Sequence, residues 1–160
     1  RSGGTANADV ILAGARDELW LRTTSGGQFT QRTAYSGGRP YQIIFDPDDW
    51  HTAYVLDSSG RVWRGTQIGA GAEAWVNLTQ GAGLSGLRSL EYVEIGGTEV
   101  LLAGGYDRLY RRLDPATGSH ADSWSKFGRG LPGAARRSVL YDAHDDLLLA
   151  GTLGRRVWAI

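Results

Sequence analysis

One pattern of apolar and polar positions recurs four times along the chain: a short aliphatic run, a tight polar turn, then a second short run carrying an aromatic residue. The copies are Val10-Ile11-Leu12-Ala13-Gly14 leading to Leu19-Trp20, Ala53-Tyr54-Val55-Leu56 leading to Val62-Trp63, Val100-Leu101-Leu102-Ala103-Gly104 leading to Leu109-Tyr110, and Leu147-Leu148-Leu149-Ala150-Gly151 leading to Val157-Trp158. Runs this short, rich in aliphatic and aromatic residues and bounded by Gly, Asp and Ser, predict β-strands joined in hairpins. A further strand precedes three of the aliphatic runs, at residues 41–45, 87–93 and 138–141. An outer strand with its own aromatic, Phe29, Trp75 or Trp124, follows three of the anchors.

The anchors Trp20, Trp63, Tyr110 and Trp158 are spaced by 43, 47 and 48 residues. Four-stranded units recurring at about 40 to 50 residues are the mark of a β-propeller, a ring of sheets in which each blade packs on its neighbours. The chain is therefore expected to be all-β, a single partial propeller over residues 1–160 with about three and a half antiparallel four-stranded blades. Blade 1, about 9–34, lacks a strand ahead of Val10; blades 2 and 3, about 39–80 and 86–128, are complete; blade 4, about 135–160, stops without an outer strand. Open strand edges invite pairing, and a ring takes about four to eight blades, so the expected partners are the remainder of the polypeptide or a second copy. The absence of Met and the opening Arg1 agree with a segment excised or processed from something longer.

Composition narrows the classes. Lys plus Arg and Asp plus Glu are 17 each, which gives no charge-driven affinity for nucleic acid or anionic lipid. A hydrophobic share of 41% supports a folded core, and 24 glycines against 4 prolines suit many tight turns. No apolar stretch approaches the roughly 20 residues of a membrane helix, so no membrane insertion is expected. With no cysteine, disulfides, thiol catalysis and thiolate metal sites are excluded.

The residues resemble the sialidase-like propeller superfamily, which includes sialidases, xyloglucan-degrading enzymes, sortilin-type receptors and photosystem assembly factors. The resemblance spans nearly the whole chain. It is carried by Gly130-Leu131-Pro132, Val139-Leu140-Tyr141-Asp142 and the run from Leu149-Ala150-Gly151 to Val157-Trp158, similar to a final blade of that group, and by Phe45-Asp46-Pro47-Asp48-Asp49 ahead of Thr52-Ala53-Tyr54. The group's Asp-box, a Ser/Thr-x-Asp-x-Gly-x-x-Trp turn between third and fourth strands, survives only in outline at residues 23–29, where Ser25 stands for the Asp and Phe29 for the Trp. Such a box locks a turn and marks no active site. The resemblance implies an extracellular or cell-surface location.

Candidate chemistry is sparse. Asp46, Asp48 and Asp49 are too few for Ca²⁺, which takes about six to eight oxygens, and read as a turn around Pro47; Asp142, His144, Asp145 and Asp146 form the equivalent turn a repeat later. His51, His120 and His144 lack the spacing of a zinc site or a Ser-His-Asp triad and read as solvated loop residues. Glu91 and Glu94 are conceivable glycosidase carboxylates, but a glycosidase needs a facing pair, and a single strand residue reads as channel lining. Arg16, Arg61, Arg108 and Arg155 recur just before the aromatic strand, placed to stack on the anchor or pair with a nearby Asp such as Asp57 or Asp107. No catalytic, metal or cofactor site is predicted.

The second-to-third-strand loops share a propeller face with the blade connections, and loops on a rigid scaffold are where binding residues concentrate. The candidate ligand-binding residues are therefore Asp57, Arg61, Tyr106, Asp107 and Arg108, facing a protein or glycan ligand. The expected function is a non-catalytic binding or structural module. The alternatives are part of a sialidase- or xyloglucanase-like hydrolase with its catalytic residues elsewhere, or a self-associating partial propeller.

Overall fold

The computed structural model describes residues 7–84, 86–95, 97–106, 108–116, 124–128, 136–142, 144–152 and 155–159. Among them there are fourteen strands and no helix. They form two four-stranded and two three-stranded antiparallel sheets, each a meander in chain order and each open at its edges. The chain divides into two compact units, residues 1–78 and 79–160.

The first unit holds two sheets. In the first sheet β1 (Ile11–Ala15), β2 (Glu18–Arg22) and β3 (Thr30–Gln31) pair in order, and in the second β4 (Pro40–Phe45), β5 (Ala53–Asp57), β6 (Val62–Thr66) and β7 (Ala74–Asn77) do the same. Alternation places Leu19 and Leu21 on one side of β2, and Ala53 and Val55 on one side of β5, and these residues form the core with Leu12, Tyr35, Trp63 and Ile68. Every residue of β5 is buried, which is why this strand reads as a continuous apolar run rather than an alternating one. Close approach of β1 to β4 depends on Gly14: a Cβ built there would lie 2.6 Å from the Pro40 Cβ.

The second unit repeats the arrangement. Its first sheet is β8 (Ser89–Ile95), β9 (Thr98–Gly104), β10 (Leu109–Leu113) and β11 (Trp124–Phe127), and its second is β12 (Arg136–Asp142), β13 (Leu147–Thr152) and β14 (Arg155–Ala159). Val93, Val100, Leu102 and Leu109 pack against Val139 and Leu148 across the two sheets, with Phe127 and Tyr141 beside them.

The four aromatic anchors occupy one register. Trp20 pairs with Ala13, Trp63 with Val55, Tyr110 with Ala103 and Trp158 with Ala150. The preceding strand keeps step, Ile43 facing Val55, Leu90 facing Ala103 and Val139 facing Ala150. The outer aromatics are equivalent too: Trp75 pairs with Gly65 and Trp124 with Arg112, each partner two residues past its anchor, and Phe29 lies under the Arg22 guanidinium, which is 5.6 Å from the ring centre. At Gly65 the indole of Trp75 covers the bare backbone, 2.6 Å from where a Cβ would stand. The repeat-like sheet architecture expected from the spacing is thus present.

These contacts give a controlled test. Gly14→Ala forces its methyl into the Pro40 ring and is expected to lower stability by about 1–3 kcal/mol, as overpacking does. Gly71→Ala, where a Cβ meets nothing within 4 Å, is expected to stay within about 0.5 kcal/mol. Urea unfolding of the two variants beside the parent decides it, and equal stabilities would show that the β1–β4 approach is not tight.

Candidate functional site

The hairpin joining β5 to β6 is organised by one carboxylate. Leu56 pairs with Val62, the Asp57 amide donates to the Arg61 carbonyl at 2.9 Å, and Gly60 takes a φ of 77°, a conformation glycine adopts without a side-chain penalty. This brings the turn back over the Asp57 side chain. Asp57 Oδ1 accepts from the backbone amides of Ser59 (2.9 Å) and Arg61 (3.0 Å). Oδ2 accepts from the Gly38 amide (3.1 Å), Arg61 Nε (2.8 Å) and the Trp63 indole N–H (3.0 Å). The Asp57 side chain is fully buried, whereas that of Arg61 is 43% exposed.

Around this knot, Tyr35 packs edge-on against Trp63 and Trp75, with ring centres 5.8 and 5.1 Å apart, and its hydroxyl donates to the Gly38 carbonyl at 2.8 Å. The Arg61 guanidinium sits 5.7 Å from the Trp63 ring centre. The two roles expected of the hairpin arginine, stacking on the anchor and pairing with the nearby Asp, are both present at Arg61. Burial works to raise the Asp57 pKa, but the hydrogen bonds from Arg61, Trp63 and Gly38 and the Arg61 charge outweigh it and hold the carboxyl below the ordinary 3.8. Burial first, and then the Asp57 charge, push the Tyr35 phenol well above its ordinary range.

In the second unit the corresponding hairpin closes with the Gly105 amide donating to the Arg108 carbonyl at 2.8 Å. Tyr106, exposed at the turn, lies under the Arg88 guanidinium at 5.2 Å and shares a 3.2 Å hydrogen bond with it. Arg108 is exposed beside it, and Asp107 lies outside the described residues. Of the five predicted residues, Asp57 and Arg61 are joined directly in the first unit, and Tyr106 and Arg108 share one hairpin of the second. With its oxygens engaged by buried donors, Asp57 is a structural lock, and Arg61 is the group of that pair that faces solvent. The spacing missed Gly38 and Trp63 as partners of Asp57, and Tyr35 as the ring packed on Trp63 and bonded to Gly38. The signal for the lock is Asp57-x-x-Gly60-x-x-Trp63, one hairpin earlier than the Asp-box position.

The acidic turns behave as turn chemistry dictates. Asp46 Oδ1 accepts from the Asp48 amide at 3.0 Å, and Asp142 Oδ1 from the His144 amide at 2.9 Å, the same bond in equivalent loops. Asp49 accepts from the His51 amide at 3.1 Å. His144 is exposed, beside Asp145 at 2.8 Å, and His120 lies outside the described residues. His51 differs from the expected solvated residue. It is half-buried, its ring lies 3.7 Å from that of Trp50, and its Nδ1 is 2.7 Å from the Ile68 carbonyl, so it ties the β4–β5 loop to the β6–β7 loop. Glu91, on β8, accepts a hydrogen bond from the Tyr141 backbone on β12, but burial outweighs that bond and raises its pKa.

The class defined by these observations is an all-β protein of repeated antiparallel sheets with carboxylate-locked turns. No protein-family model matches the chain, and neither does any curated protein.

The carboxyls of buried Asp57 and half-buried Glu91 pull stability in opposite directions with pH. Asp57, whose folded pKa is depressed, contributes stability that is present above about pH 4 and lost as the pH falls through its folded value. Asp57→Asn is expected to flatten that acid limb, and Asp57→Ala to cost about 1–3 kcal/mol by leaving buried donors without an acceptor. Glu91 has a raised pKa, so its contribution is complete below its ordinary 4.5 and falls as the pH rises through the folded value. Glu91→Gln is expected to remove that decline. Unfolding free energies measured from pH 2.5 to 8 check both signs, and a parent-like profile in either variant refutes the assignment for that residue.

Proposed function

We propose that the chain is a segment of a β-propeller acting as a non-catalytic binding or structural module of a larger extracellular or cell-surface protein. The observation carrying this reading is the common register of the anchors in the four sheets, two of them four-stranded and two three-stranded, recurring at a period that matches propeller blades. The sialidase-like resemblance of the final repeat and the Asp46 turn supports the same class. A ring of such units is completed by the remainder of the polypeptide or by another copy.

The non-catalytic reading rests on where the carboxylates go. Asp46, Asp49, Asp57 and Asp142 bond turn amides; Glu73 bonds the Trp75 indole at 2.8 Å and Arg32 at 3.3 Å; Asp146 accepts from the Tyr141 hydroxyl at 2.6 Å. Groups fixed in this way hold the scaffold together. Hairpin residues that face solvent, Arg61 in the first unit and, separately, Tyr106 and Arg108 in the second, are each offered to a glycan or protein ligand, and Asp107 stands between the last two in sequence.

The test uses the natural polypeptide that contains this segment, applied to immobilised sialylated and xyloglucan oligosaccharides and assayed in parallel for sugar release. Retention without release is expected, weakened several-fold by Arg61→Gln. Release of sugar above the level of heat-unfolded protein would replace this reading with that of a propeller hydrolase.

A further inference from the structure

The second unit contains a cleft of about 330 Å³ between its two sheets. Val93, Val100 and Leu102 line it from the first sheet with Phe127, and Leu148 and Tyr141 from the second. Polar groups enter from two directions. Arg111 contributes a guanidinium, held by a 3.3 Å bond from Nε to Ser125 Oγ and by the Phe127 ring 5.4 Å away; Asp146 contributes a carboxylate already engaged by the Tyr141 hydroxyl at 2.6 Å. The volume falls within the range of small-molecule sites, which are mostly apolar with a few placed polar groups.

The first unit indicates what such a space accepts. The common register makes Leu12 equivalent to Leu102, Leu21 to Arg111, Phe45 to Tyr141 and Ala53 to Leu148. There the core is completed by the Trp50 indole from the β4–β5 loop: Trp50 packs against the cluster containing Leu12, Leu21 and Ala53, and it flanks Gly69 opposite Leu21. The equivalent loop of the second unit begins with the same aspartate turn at Asp142 but is one residue shorter before Leu148, and its residues Ala143, His144, Asp145, Asp146 and Leu147 include no Trp, Tyr or Phe. The side chain that fills the space in one unit therefore has no counterpart in the other. Leu21 is replaced at the same time by a cation, and no carboxylate pairs with Arg111 among the described residues.

We propose that this cleft binds a small planar aromatic molecule bearing a carboxylate, with the ring taking the place that the Trp50 indole holds in the first unit and the carboxylate meeting Arg111. A guanidinium in a largely apolar site recognises a carboxylate through charge-assisted hydrogen bonds, which sets such ligands apart from neutral rings of the same size. The assignment rests on the register shared by the two units and does not depend on the propeller reading.

The probe is indole-3-acetate, with indole as the neutral comparison, added to the full chain and followed by saturation-transfer NMR and by melting temperature. Expected is saturation transfer to the indole ring, a melting temperature that rises with probe concentration, and tighter binding of indole-3-acetate than of indole by at least five-fold. Leu148→Trp, which fills the cleft, is expected to weaken both probes by at least ten-fold; Val100→Phe makes the same test if the first variant does not fold. Arg111→Gln is expected to bring the two probes to equal affinity. Absence of transfer to the parent protein, or transfer undiminished in a folded filled variant, overturns the site; an unchanged preference for the anion in Arg111→Gln overturns the role given to Arg111.

Discussion

Strand register is the constraint on which the other features depend. In each sheet a small or β-branched aliphatic residue, Ala13, Val55, Ala103 or Ala150, lies opposite the aromatic anchor of the strand that follows it. Side chains alternate faces with a period of two, so a slip of one residue would turn Leu19 and Leu21, or Ala53 and Val55, away from the core and expose them. Because the cores of both units are built between two sheets, each register is fixed by burial on that face as well as by the hairpin that begins it. A bulky anchor facing a small partner also leaves room for neighbouring side chains to interdigitate, as Tyr35 does edge-on against Trp63.

Hairpin length and turn charge are secondary to that register, and here the repeats diverge. The β5–β6 turn is one residue longer than those of β1–β2 and β9–β10, and it alone begins with an aspartate; the equivalent positions are Ala15 and Gly105. The longer turn leaves more backbone amides to be satisfied, and the Asp57 carboxylate satisfies them while also capping the Trp63 indole and the Gly38 amide from the preceding connection. A buried carboxylate is tolerated because donors surround it. Its consequence for function is that the residue with the most ordered surroundings is withdrawn from solvent, and its salt-bridge partner Arg61 is left at the surface.

The strands and their order were legible in the sequence because they rest on local periodicity and on the spacing of four aromatics. The acidic turns were legible for the same reason: an Asx bond is made within two or three residues, and Asp46 and Asp142 both make it. What the sequence could not display were contacts made between strands and loops distant in the chain. Gly38 donates to Asp57 across 19 positions, Glu91 reaches the Tyr141 backbone 50 positions on, and His51 is drawn from solvent by Ile68 and Trp50. Residue type at each of these places is compatible with an ordinary loop, and only the packing of one sheet on another assigns the role.

The inter-sheet spaces show how a repeat acquires individuality without altering its frame. Most strand positions that face the core keep their hydrophobic character from copy to copy, since each contributes to a shared core. Loop positions are free of that demand, so a single loop change, a tryptophan present at Trp50 and no Trp, Tyr or Phe between Asp142 and Leu148, alters the filling of the space while the register on either side stays the same. The exchange of Leu21 for Arg111 goes further, because it puts a cation at a strand position where the other unit has a hydrocarbon side chain. A cation brought next to apolar walls is costly when isolated and most favourable when an anion accompanies it. The physical asymmetry between two otherwise equivalent spaces therefore lies in both volume and charge, and both changes favour the same kind of occupant.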